Sequence, residues 1–193
     1  MASELEVTTI RGLSSGADAN KIIVPSGQTL QAPGHVINVT QVVKTDVQST
    51  TNFTFVDISG LSITVNPVST SSKFLINFLV RGASNYFTSY VRLLRDSTEL
   101  GANADGAGDS RLRIASAKVT DQTISNAHGI VHDHNFQFLD EPNTTSATTY
   151  KLQMAGRGSG AGHIMYVNRS IADRTSTEYD MRAISLMQVY EIG

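Results

Sequence analysis

The chain has 193 residues, a formal net charge of −2, and neither cysteine nor tryptophan. That length suits one domain of ordinary size with a small appendage. Disulfides, thiolate zinc sites and cysteine nucleophiles are excluded; the lack of a Lys/Arg stripe argues against non-specific nucleic-acid binding; and no run approaches the roughly 18 apolar residues of a membrane span.

Residues 1–34 differ from the rest. Leu5-Glu6-Val7-Thr8-Thr9-Ile10 and Lys21-Ile22-Ile23-Val24 are short strand-like pieces. Gly12, Ser14-Ser15-Gly16, Pro25-Ser26-Gly27 and Pro33-Gly34 interrupt them. A segment so short and broken cannot bury a core of its own. It reads as a stem in which several chains wind together, with a plain flexible leader as the alternative. Its start, Met1-Ala2-Ser3-Glu4-Leu5, lacks the basic and apolar regions of a signal peptide.

From His35 onward, short strands alternate with Ser/Thr/Asn/Gly-rich turns, and no helical period holds for three turns. Strands are expected over 36–44, 53–58, 61–66, 73–81, 90–95, 112–119, 130–139, 148–155, 163–168 and 183–192. The second and third, split by Ser59-Gly60, read as a hairpin. In the fourth, Phe74, Ile76, Phe78 and Val80 share one face while Leu75 and Leu79 occupy the other, which suits a central strand. The last carries Ile184, Leu186, Tyr190 and Ile192 on one face. Roughly ten strands suit two packed sheets. The expected fold is all-β: a jelly-roll-like antiparallel β-sandwich head over 35–193, with a short β-rich stem over 1–34.

No catalytic constellation emerges. Asp140-Glu141 before Pro142 reads as a turn. Gly156-Arg157-Gly158-Ser159-Gly160-Ala161-Gly162 lacks the Lys-Ser/Thr ending of a phosphate loop and precedes a strand, so it reads as a hairpin loop. In 101–109, Asn103, Asp105 and Asp109 offer oxygens without calcium-loop spacing. The expectation is a protein that is not an enzyme and has no cofactor.

Three stretches carry a family resemblance. They are Ser49 to Leu61 (STTNFTFVDISGL) with its continuation through Ile76, Phe138 to Lys151 (FLDEPNTTSATTYK), and the closing Ala183 to Val189 (AISLMQV). Together they resemble the C-terminal domains of fibre-like virion proteins of tailed bacteriophages, especially marine ones. The resemblance implies a homotrimeric particle-surface protein, made in the host cytoplasm. Residues 1–34 would join another virion structural protein. The leading role is a tail fibre or receptor-binding protein touching a host surface glycan or protein. A capsid decoration protein or head fibre is the alternative, and a polysaccharide depolymerase a more distant one. Nucleic acid and membrane insertion are not implied.

Two sets of residues then become candidate sites. Arg157, Arg174, Tyr179 and Arg182 lie in loops, where guanidinium groups can grip acidic sugars and a phenol can stack on a sugar face. His132 and His134, two apart in a strand, point the same way. Three copies around an axis would offer six imidazoles to a metal; the alternative is a hydrogen-bonded core or interface pair.

Overall fold

A computed structural model describes residues 14–16, 21, 23, 26, 32–51, 53–85, 88–101, 114–119, 129–157, 163–175 and 180–193, with only the backbone of Arg157. The chain divides into two compact units, Met1–Ala32 and Pro33–Gly193. Few residues of the first are described, and the stem expected there lies outside them.

Among the described residues the second unit holds eleven strands: β1 (Val36–Lys44), β2 (Gln48–Thr50), β3 (Val56–Val65), β4 (Lys73–Ser84), β5 (Thr88–Arg95), β6 (Thr98–Leu100), β7 (Ser116–Val119), β8 (His132–Asp140), β9 (Thr148–Arg157), β10 (Met165–Val167) and β11 (Ser185–Ile192). They form two antiparallel sheets. In the first, β4 is central, with β8 on one side and β11 then β1 on the other; β10 and β2 extend its far end. In the second the order is β3-β9-β5, with β6 and β7 both on the outer side of β5.

Leaving aside the three-residue strands, the pairing has one logic. β1 pairs β11, β3 pairs β9, β4 pairs β8 and β5 pairs β7. First meets last, second meets next-to-last, and so inward, as in a long hairpin rolled about itself. The sheets β1-β11-β4-β8 and β3-β9-β5-β7 are the outcome, the jelly-roll arrangement.

Alternation decides which side chains enter the core. Phe74, Ile76, Phe78 and Val80 of β4 meet Leu61, Ile63, Val65, Val91, Leu93, Leu152 and Met154 from the opposite sheet, all buried. Phe74 and Tyr150 touch across the sheets with ring centroids 5.7 Å apart. The two ends of this unit lie side by side: the Gly34 N–H donates to Gly193 O (2.7 Å), and the Gly193 N–H donates to His35 O (2.9 Å).

One expectation changes, and one face is assigned. The hairpin over 53–66 does not form. Val56–Val65 is one strand whose two halves both pair with β9, with a bulge between Asp57 and Ser62. Ser59-Gly60 is the bulge's apex. Gly60 takes φ +80° there, a backbone that glycine adopts without penalty, and both Ile58 and Leu61 turn inward. In β11, Met187 and Val189 enter the core beside Ser185 and Glu191, so Leu186 and Tyr190 face outward.

Candidate functional site

The expected receptor loop follows β10. Its base is closed by an isolated bridge between Arg169 and Arg182. Asn168, at φ +63°, starts the turn, and its Nδ2 donates to Lys44 O (2.8 Å) and Asp46 O (2.9 Å). Ser185 Oγ donates to Asn168 Oδ1 (2.6 Å), tying the loop to β11. Asp173 then bridges two arginines, Arg182 and, at 3.1 Å, Arg169. The hydrogen bond from Arg182 and the charge of Arg169 hold the Asp173 carboxyl below the usual aspartate range. Arg169 also lies 4.4 Å over the Tyr166 ring. Arg174 meets Asp180, its N–H donating to Oδ2 (2.6 Å) and its Nε lying 3.7 Å from Oδ1.

Arg174 and Arg182 are therefore brought to one loop, each with an aspartate and each with a side chain 54% exposed. Tyr179, the loop over 158–162 and residues 102–109 lie outside the described residues, as does the side chain of Arg157. The Arg169–Asp173 pair escaped the sequence reading, although its i,i+4 spacing was visible.

The histidine pair faces the core from β8. His134 is fully buried, and both ring nitrogens sit on hydroxyls: Nε2 is 2.9 Å from Ser89 Oγ and Nδ1 is 3.2 Å from Ser116 Oγ. Burial, with the nearby His132 and Lys118, pushes its pKa down to about 4. A metal at His134 would displace one of those hydroxyls. His132 is half-buried, its pKa lowered by burial and then by Lys118, and its Nε2 is enclosed without a hydrogen-bond partner among the described residues. Within those residues no three His, Asp or Glu side chains gather as a metal site would require. The Ser89–His134 contact has the composition of a nucleophile and base, but Ser89 is fully buried and Ser116 stands where an orienting carboxylate would be. The pair instead joins β8 to β5 and β7.

A second buried polar set joins the sheets elsewhere. Asp140 on β8 receives Tyr150 Oη (2.8 Å), and Arg95 Nη1 donates to both its oxygens (2.8 and 2.9 Å). Burial, then the hydrogen bond to Asp140, raises the Tyr150 pKa far above that of a free phenol.

The outer faces of the two sheets differ in kind. On β3-β9-β5 charges dominate. Arg92 pairs with Glu99, donates from Nε to Gln153 Oε1 (2.8 Å), and lies 4.1 Å over the Phe55 ring; Lys151 meets Asp57 at 3.0 Å. On β8-β4-β11-β1 the cross-strand register builds three bands. Leu139, Leu75, Tyr190 and Val39 line up in one. Gln137, Asn77, Gln188 and Gln41 form the next, with Gln188 Nε2 donating to Gln41 Oε1 at 2.7 Å. Leu79, Leu186 and Val43 form the third, completed by Asn135 on β8. Val39, Val43 and Leu139 are exposed. The charges near this face stand at its two ends, paired as Lys73–Glu141 (2.7 Å) and Arg81–Asp133 (3.2 Å). A shallow hollow of about 310 Å³, lined by Asn77, Phe78, Asn135, Phe136 and Gln137, sits at the β8 end of the amide band.

No protein-family model and no curated protein matches the chain. Among solved structures, one similar chain is that of the infectious bursal disease virus VP2 subviral particle. It shows 13% identity, a TM-score of 0.34, and coverage of 90% of this chain and 42% of that one. The chain thus spans less than half the length of that structure.

Proposed function

We propose that this chain is a non-enzymatic surface module of a tailed-bacteriophage particle, assembling as a homotrimer and touching the host surface as a tail fibre or receptor-binding protein. The observation that carries the proposal is the contrast between its outer faces. One is a hydrated network of ion pairs, and the other a banded apolar and amide surface with its charges confined to two ends. Depletion of charge with exposed aliphatic and aromatic groups is the composition of a contact surface. The buried polar groups serve the scaffold: His134, Asp140 and Asn168 each hold one strand or loop to another. The resemblance of the 49–76, 138–151 and 183–189 stretches to phage fibre domains supports the particle assignment. On this reading residues 1–34 join another virion protein, and the exposed guanidinium edges of Arg174 and Arg182 are the host-contact candidates.

The test is location and competition. Purified particles should carry the chain at a few trimers each, and the free chain added to host cells should reduce particle adsorption. Its absence from particles overturns the proposal. Many copies per particle without competition point to the alternative, a capsid decoration protein or head fibre.

A further inference from the structure

We infer that the β8-β4-β11-β1 outer face is where a second copy of this chain docks, band against like band. This deepens the oligomeric part of the reading above. Three features select a copy of the same chain over an unrelated partner. First, the pattern is self-complementary. An axis running along the strands preserves height on the sheet, so a copy related by it brings apolar band to apolar band and amide band to amide band. Second, primary amides carry both donors and acceptors, so the Gln41–Gln188 row can pair with its own image without a charge on either side. Third, the area suffices. Four strands about 4.8 Å apart and nine residues long, at about 3.3 Å each, present roughly 600 Å² per copy. In the proposed homotrimer three such faces turned towards one axis bury about 1,800 Å² in all, within the range of specific, stable contacts. Paired charges at both ends leave nothing of one sign to repel a copy approaching along this face.

The test uses the full chain, whose mass is 20.8 kDa per copy. Light scattering should give a multiple of that mass for the wild type. The double variant Val43→Lys/Leu139→Lys adds charge at two exposed positions of the apolar bands and should fall to single-copy mass. Thr64→Lys, exposed on the opposite sheet, should not. A single-copy wild type, an unchanged mass for the double variant, or equal loss with Thr64→Lys each overturns the inference.

Should the double variant fail to fold, Gln188→Cys, on β11 beside the midline of the face, serves on an otherwise intact face. The chain has no cysteine of its own, so a short bis-maleimide reagent can link only the introduced thiols. Efficient linking of Gln188→Cys but not Thr64→Cys supports the inference, and equal linking refutes it. Absence from particles would sink the virion reading and leave these masses untouched. A multi-copy chain indifferent to the face variants would do the reverse.

Discussion

His134 makes the stability of this protein depend on pH between about 6.5 and 4. Buried between Ser89 and Ser116, its imidazole is held neutral, with a pKa of about 4 against 6.5 for a free histidine. The unfolded chain therefore binds a proton at His134 that the folded chain refuses. Stability is unaffected above about pH 6.5, falls as pH drops from there towards 4, and suffers no further loss from this group below that. At about pH 4.5 the linkage amounts to roughly 2.5 kcal/mol, or about 5–10 °C in Tm for a domain of this size. His132, also depressed, acts with the same sign. The aspartates held below their ordinary values, Asp46, Asp57 and Asp173, act at lower pH. Urea unfolding at several pH values from about 7 to 4.5 should show the slope in the wild type. His134→Gln keeps a donor and an acceptor for the two hydroxyls but cannot take the proton, so its slope should flatten by about 2.5 kcal/mol over that range. Parallel slopes for the two proteins would refute the assignment.

Other variants probe the joints of the scaffold. Tyr150→Phe removes the hydroxyl donated to the buried Asp140 carboxylate and should cost about 1–3 kcal/mol in urea unfolding; a loss below about 0.5 kcal/mol would mean the bond adds nothing. Asn168→Ala deletes two donors and the acceptor of Ser185, at a residue with φ +63°; a loss of about 2 kcal/mol or more is expected by the same assay. Gly82→Ala would put a methyl 2.8 Å from the Tyr166 carbonyl, forcing β10 from β4. Faster amide exchange at Tyr166, whose backbone faces β4, with about 1–3 kcal/mol lost, should follow; unchanged exchange there would contradict the packing.

Much of the scaffold was legible because alternation is a strong signal where one face is fully apolar. Phe74, Ile76, Phe78 and Val80 announce both a strand and its buried side. In 183–192 the same signal sorts residues into two faces but does not say which is buried. There the outward residues Ile184, Leu186 and Tyr190 are as apolar as the inward Met187 and Val189. The inward face includes Glu191, 3% exposed, whose carboxylate receives the Val68 N–H at 2.7 Å. A buried acid with a backbone partner far along the chain leaves no local trace. Ser59-Gly60 carries the chemistry of a two-residue turn, yet serves as a bulge because both flanking halves pair with β9. β2 and β6, three residues each, are too short for any period to register. The histidine pair was readable as facing one side; its hydroxyl partners come from β5 and β7, distant in sequence. The three outer bands depend on register between four strands, which no single segment encodes.

The meeting of Gly34 and His35 with Gly193 gives the head a single doorway. Both of its ends pass through one point on its surface, held together by a pair of backbone hydrogen bonds. Such a unit can be spliced into a loop of an unrelated carrier without stretching either side, and it would stand out from that carrier on two adjacent tethers. The same closeness lets a short linker join 193 to 34, and the chain could then be reopened elsewhere, for instance in the turn between β8 and β9.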